Sequence, residues 1–370
     1  MLKKIVSVCL AFILSLSLFA GCGNAKGNPN KEIVWNDAAI EGFVRDYLGK
    51  QSGAITSGEL ADIGGIVIFA DQCRFLPVGA TMEDANAASE ELYEIKRAQG
   101  DGVGYEMYLY AGRWSLRYLG DKITSLSDIS AFSNLTVLSV KYNEIKDIST
   151  LTEQKALRAL DLSFNEISDI SPLKKLAGLT SLSLVRNNIT DISPIAKLVN
   201  LTELDMSEND ITDVTPIKGL TGLTSLQLEQ NEINDVSALS GLTKLENLSL
   251  NVNRLTDISP LSTLTGLTTL SLHGNHIADV SPLSGLTKLQ YLYLQFNIIP
   301  DVAPLSSLTD LVYLGLHYNL ILDVTPLTKL TKLRGLDLHG NNIPPDVVYW
   351  LEDQLPDCTV FLRPKPLDKY

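Results

Sequence analysis

The chain has 370 residues, 45% of them apolar, enough for one large core or two smaller ones. Its formal charge of −13 repels phosphate backbones and anionic headgroups, so nucleic acid is excluded as an expected partner. Past residue 21 no uninterrupted apolar run is long enough for a transmembrane helix.

The leader MLKKIVSVCLAFILSLSLFAGC has a basic start, an apolar stretch from Ile5 to Ala20 and small residues before Cys22, the layout of an export signal. Its order Phe19-Ala20-Gly21-Cys22 resembles the lipobox of bacterial lipoproteins, with Phe where that family usually has Leu. The resemblance implies that residues 1–21 are a cleaved signal peptide and that Cys22 carries a diacylglycerol. The protein is then exported and lipid-anchored to the outer face of a bacterial membrane. An ordinary signal peptide with an incidental Cys is the competing reading. Losing Lys3 and Lys4 with the leader takes the formal charge from −13 to −15. Residues 22–31, rich in Gly, Asn and Lys, read as a flexible tether.

Residues 32–115 read as an N-terminal cap with an insertion. Ile40, Phe43, Val44 and Leu48 fall at helical spacing, Ser52-Gly53 makes a turn, and a second short helix is expected after it. Within the insertion, roughly 71–112, TMEDANAASEELYEIKRAQG is helical in composition and YEMYLY alternates like a strand. That strand is expected to pair with GIVIF in a small sheet beside the cap. Gly100, Gly102 and Gly104 make a loop rather than a nucleotide fingerprint, because no βαβ unit surrounds them.

Residues 116–345 carry a repeat whose period is 22. Asn143, Asn165, Asn187, Asn209, Asn231, Asn253, Asn275, Asn297, Asn319 and Asn341 are evenly spaced without insertion or deletion. A Leu-x-x-Leu-x-Leu frame precedes each, and Ile-x-Asp-Ile/Val-Ser/Thr-Pro-Leu wording follows, as in NEISDISPL at 165–173. This is a leucine-rich repeat array, hence an α/β solenoid with a parallel concave sheet. The asparagine amides are expected to ladder between turns. Asp before Ser-Pro is expected to cap a short 3₁₀ turn on the convex side, since about ten residues hold no longer helix. Recurrence in every turn makes these Asn and Asp residues structural rather than catalytic or calcium-binding.

Residues 346–370 read as a C-terminal cap and tail, with a helix and terminal strand closing the core around Trp350, Leu355 and Cys358. Cys73 and Cys358 then lie in opposite caps, about 45 Å apart over ten strands at about 4.8 Å, beyond disulfide reach.

The period and the ITDISPLxxLTxLTxLxLxxN wording resemble the internalin family of bacterial surface proteins, and residues 33–63 look like the helical cap that precedes internalin-type repeats. The resemblance implies binding of a protein ligand on the concave wall, for adhesion or recognition.

Side-chain alternation lists what faces that wall. The first half is small and acidic, with Asp161, Glu203, Asp205, Glu208 and Glu229 clustered. The later turns carry Tyr291, Tyr293, Phe296, Tyr313 and Tyr318, and three of the four histidines, His273, His317 and His339, stand beside them with Asp337. Strand packing explains one or two exposed rings, at about 0.2–1 kcal/mol a pair. Five in two adjacent turns point to ligand contact. His317, His339 and Asp337 without Cys or a fixed fourth donor do not by themselves make a metal site, so no metal and no cofactor are expected.

The expected role is binding and not catalysis. Gly-x-Ser-x-Gly, His-Glu-x-x-His, a phosphate loop and Cys-x-x-Cys are all missing, and Glu203 and Asp205 lie on an open sheet. Two alternatives stand beside a protein partner of basic surface: a glycan stacked on the tyrosines, and an enzyme in the 71–112 insert.

Overall fold

The computed structural model describes residues 31–361 other than 37, 70–71, 99–105, 111–112 and 118–121. The leader, Cys22, nearly all of the tether and the tail lie outside the described residues. Helix α1 (Ala38–Leu48) opens the fold. Strands β1 (Ile63–Phe69) and β2 (Gln72–Pro77), helix α2 (Met82–Ala98) and the hairpin β3 (Glu106–Tyr110) and β4 (Arg113–Arg117) follow. Ten repeat strands come next: β5 (Val137–Lys141), β6 (Ala159–Asp161), β7 (Ser181–Ser183), β8 (Glu203–Asp205), β9 (Ser225–Gln227), β10 (Asn247–Ser249), β11 (Thr269–Ser271), β12 (Tyr291–Tyr293), β13 (Tyr313–Gly315) and β14 (Gly335–Asp337). Helix α3 (Pro345–Gln354) and β15 (Thr359–Phe361) end it.

Thirteen strands form one sheet in the order β15 to β5, then β1 and β2, and only β2 runs antiparallel to its neighbour. Each turn buries the same set of side chains. Between residues 179 and 198 these are Leu179, Leu182, Leu184, Ile189, Ile192, Ile195 and Leu198. Each buried aliphatic contributes about 1.5–3 kcal/mol relative to exposure.

The asparagines work as expected. Asn165 Nδ2 donates to Val140 O (2.7 Å) in the preceding turn and to Leu162 O (3.0 Å) in its own, while its Oδ1 accepts from Ile145 N (3.0 Å). One amide thereby satisfies backbone groups that no strand or helix reaches. In the 3₁₀ turn Ser171–Lys175, Asp169 Oδ1 accepts from Ser171 N at 2.8 Å. The aspartate makes an Asx turn two residues long rather than the helix cap proper, which Ile170 occupies.

The cap helix buries Ile40 and Val44, one turn apart, in the continuous core that runs on through Phe132 into the repeats. Asn36 N donates to Asp128 Oδ1 (2.9 Å), tying the entry of the chain to that repeat. The second short helix does not form. Residues 57–62 make i→i+3 turns (Glu59 N to Thr56 O, 3.1 Å; Ile63 N to Leu60 O, 3.1 Å) that seat Leu60 in the core and lead directly into β1.

The expected pairing of YEMYLY with GIVIF is also corrected. Both edges of β1 are taken, by β2 on one side and β5 on the other, and β3 pairs with β4 instead. Helix α2 does form over the Ala/Glu-rich stretch, opened by Thr81 and Asp84 bonding each other's backbone N–H (Asp84 N to Thr81 Oγ1, 3.3 Å; Thr81 N to Asp84 Oδ2, 2.8 Å).

At the far end, Val348, Leu351 and Leu355 turn inward at helical spacing and Cys358 packs partly against the core. Trp350 faces outward, 39% exposed, because the phase of α3 gives that angle to the other three. Cys73 and Cys358 are free thiols at opposite edges of the sheet, both half-buried. Among the described residues no helix is long and apolar enough to cross a membrane.

Candidate functional site

Strand register brings the late aromatics together in two groups. In the first, Tyr291 pairs with Tyr313 along the backbone, and Tyr313 with Gly335. The ring contact runs diagonally, Tyr293 to Tyr313, with centroids 5.2 Å apart and planes tilted by 37°. Tyr313 leans over Gly335, where an added Cβ would stand 2.9 Å from its ring. Gly315 makes similar room for Gln295, whose Oε1 would stand 2.8 Å from a Cβ there. Burial, then Asp337, then Tyr293 hold the Tyr313 phenol above its ordinary pKa. Tyr291 is the exposed ring of this group.

The second group lies where the strand turns out of the sheet. The residue before each laddered asparagine is left-handed from Tyr142 to Gly340, and Phe296 (φ 55°) and Tyr318 (φ 53°) occupy this position. Their rings stack at 4.7 Å, and each meets His317 edge-on, at 5.2 and 5.8 Å. His317 stacks in turn on His339 at 4.3 Å and 11°. Both imidazoles face Asp337: His339 Nδ1 is hydrogen-bonded to Oδ1 at 2.6 Å, and His317 Nδ1 lies 3.0 Å from Oδ2. Burial lowers the His317 pKa in spite of the opposing pull of Asp337, and burial lowers that of His273 as well. His273 stands two turns earlier, its N–H donating to Asn251 Oδ1 (3.0 Å).

Residues not singled out in the sequence extend this surface over the edge of the solenoid. Ile298, Leu320 and Leu322 are 47, 53 and 65% exposed, beside Phe296 at 51% and Tyr318 at 45%. The signal was available: the places of Ile298 and Leu320 hold Glu166, Asp210 and Glu232 in earlier turns. Two consecutive aliphatics there break a polar column.

The acidic half is built differently from expectation. Helix α2 lies on the concave side of the first strands, and its Ala85, Ala88 and Leu92 pack with Val67, Val137 and Ala159. Val137, Ser139, Ala159 and Asp161 face the wall as the alternation requires, but the helix buries them, so the first turns are not open for contact. Between α2 and strands β5 to β10 remains a cleft of about 730 Å³, lined by Asn86, Lys141, Asp161, Glu203 and Asp205 among others. Lys141 pairs with Asp161 at 2.7 Å. Glu203 is exposed and accepts from Ser181 Oγ (3.1 Å), while Glu229 accepts from Ser249 Oγ (2.7 Å). Burial raises the Asp205 pKa, with Glu229 and Asp161 adding to it against the Ser207 hydrogen bonds.

Six overlapping windows from 155–197 to 265–307 match the family described as Leucine Rich repeats (2 copies). Among solved structures, an internalin (inlF) from Listeria monocytogenes is similar over 88% of this chain and 88% of its own, with 28% identity and a TM-score of 0.66. A leucine-rich repeat protein of Leptospira interrogans is similar over 66% of this chain and 65% of its own, with 27% identity and a TM-score of 0.62. A plant peptide hormone receptor (RGFR1) in complex with RGF2 shares the fold at 21% identity and a TM-score of 0.54, over 65% of this chain and 45% of its own. No curated protein sequence matches the chain. The chain thus has a leucine-rich repeat fold, an open solenoid similar to that of the Listeria internalin.

Proposed function

We propose that this chain is an exported recognition protein that captures a protein partner on the aromatic surface of its last turns. The observation that carries the reading is the continuity of that surface. Tyr293 and Tyr313 on the concave wall, Phe296 and Tyr318 at its rim, and Ile298, Leu320 and Leu322 beyond the rim are gathered in consecutive turns, and the column of Ile298 and Leu320 is polar in every earlier turn from Glu144 to His276. Contiguous exposed apolar side chains mark interaction surfaces. Aliphatic residues beside the rings favour a protein over a glycan, since a sugar stacks on rings and gains little from Leu320 or Leu322. Glu203, Asp205 and Glu229 supply negative charge next to the cleft, which suits a partner with a basic facing surface. The reading assigns the chain no reaction of its own.

The leader and Cys22 support a lipid anchor on the outer face of a bacterial membrane, which would hold this surface outside the cell. Cys22→Ser is expected to move the protein from the membrane fraction to the medium, and retention on membranes would refute the anchor. Partner capture is tested by crosslinking on intact cells with wild type and Tyr293→Ala side by side. A discrete crosslinked species lost in the variant supports the reading, and one unaffected by the variant refutes it.

A further inference from the structure

We infer that His317, Asp337 and His339 form a binding site for a divalent transition-metal ion of the zinc class. Each side chain offers one donor atom, and the three atoms lie within 4.8 Å of one another. The solenoid sets this up by register. His317 and His339 occupy the same column on consecutive turns, which stacks their imidazoles, and Asp337 stands two residues before His339 on β14. Both Nδ1 atoms face the one carboxylate, His339 at 2.6 Å from Oδ1 and His317 at 3.0 Å from Oδ2.

That carboxylate does not satisfy the cluster. His317 Nδ1 is buried, and its approach to Asp337 lacks hydrogen-bond geometry, so it has no hydrogen-bond partner. Gln295 Oε1, one turn earlier in the same column, is also buried and without a partner. A buried polar atom left in this state costs about 1–3 kcal/mol, and native folds hold few of them. The His317 nitrogen stands beside an anionic carboxylate and a second imidazole, which together compose the donor set of a cation site.

The chemistry of the donors selects the ion. Two imidazoles and a carboxylate suit zinc and its first-row neighbours, whereas magnesium and calcium prefer oxygen alone. Donor bonds of about 2.0–2.2 Å require donor atoms roughly 3–3.5 Å apart. The contacts of 2.6 and 3.0 Å and the outer limit of 4.8 Å bracket that spacing. Phe296 edge-on to His317 and Tyr318 edge-on to His339 (5.0 Å) fix the ring planes and give the site an apolar shell. Three protein ligands leave a further position open, with Gln295 Oε1 as an additional oxygen in the column. The site stands independently of partner capture, because its test uses the metal alone.

The full chain, stripped with a chelator and titrated with Zn²⁺ alone by calorimetry, is expected to take up one ion with its highest affinity. His317→Gln and His339→Gln are each expected to weaken that uptake by more than the about 10–100-fold that loss of an outer partner costs. His276→Gln, on the exposed edge of an earlier turn, is expected to leave it unchanged. Unfolding midpoints of the metal-free chains are measured alongside. They are expected to agree, since neither histidine belongs to the leucine core. Absence of one-to-one uptake by wild type overturns the site, as does uptake of undiminished affinity by either folded variant. Should a glutamine variant not fold, Asp337→Asn decides by the same criterion.

Discussion

The rings of Phe296 and Tyr318 stack with centroids 4.7 Å apart, although both residues hold the left-handed backbone, φ 55° and 53°. That conformation costs an L residue about 1–2 kcal/mol. An aromatic pair returns about 0.5–1.5 kcal/mol. The two terms nearly cancel, so folding does not need the rings. Gly274 and Gly340 hold the same place in other turns at φ 67° and 69°. Phe296→Gly and Tyr318→Gly are therefore expected to match wild type in urea unfolding to within about 1 kcal/mol while losing partner binding. Marked destabilisation would make the rings structural.

The asparagine ladder behaves in the opposite way. Asn231 Nδ2 donates to Met206 O (3.1 Å), Leu228 O (3.2 Å) and Glu229 O (3.1 Å), and its Oδ1 accepts from Ile211 N (3.0 Å). Asn231→Ala orphans several buried backbone groups at about 1–3 kcal/mol apiece. A loss of at least about 3 kcal/mol is expected in urea unfolding. A loss below about 1 kcal/mol would mean that the ladder is incidental.

These two contrasts explain how much could be read before the fold was known. The sheet, the 3₁₀ turns and the ladder repeat at a fixed period, so Asn165 and Leu182 each carry nearly the same information as their copies. Tyr293 and Tyr313 were legible because alternation along a three-residue strand decides which way they point. Helix α2 over Val137 and Ala159 was not, because its docking is a long-range contact that follows no period. Val137 held a trace of it, as an apolar side chain on the wall that alternation gives to solvent. Trp350 misled because bulk and hydrophobicity suggested core, while the helical phase of Val348, Leu351 and Leu355 decided the matter. Ile298, Leu320 and Leu322 were not legible in the same way, because they follow the asparagine outside the strand, where no alternation decides which side chains face solvent.

Acid should unfold the array through its Asx turns. Asp169, Asp257 and Asp279 each accept the N–H of the serine two residues on, at 2.8 Å. That bond, with the serine hydroxyl second, holds each carboxyl below its ordinary range. A folded pKa below the unfolded one means that the charged form stabilises the fold. The contribution is complete above the unfolded value near about 3.9 and disappears as pH falls through the lower folded values. The urea midpoint is expected to drop below about pH 4, and less steeply in a chain with all three changed to Asn. Equal acid limbs in the two chains would count against this.

Asp205 has the opposite sign. Burial raises its folded pKa, so at neutral pH its charge costs stability. Asp205→Asn is expected to raise the urea midpoint at pH 7. Combined with Glu203→Gln it should also slow association with a basic partner at low salt, and the difference should shrink as salt is added. An association rate equal to wild type at low salt would remove the acidic patch from recognition.

The central claim is that the late tyrosines hold the partner, and its most direct measurement is the dissociation rate of the captured protein from wild type and from Tyr293→Ala. Tyr293 is half-buried against Tyr313 and outside the leucine core, so the variant keeps its fold. Truncating a central contact tyrosine costs about 2 kcal/mol or more, equivalent to roughly 30-fold faster release. The account predicts acceleration of that order with an unchanged unfolding midpoint. Release at the wild-type rate from a folded Tyr293→Ala chain would contradict it.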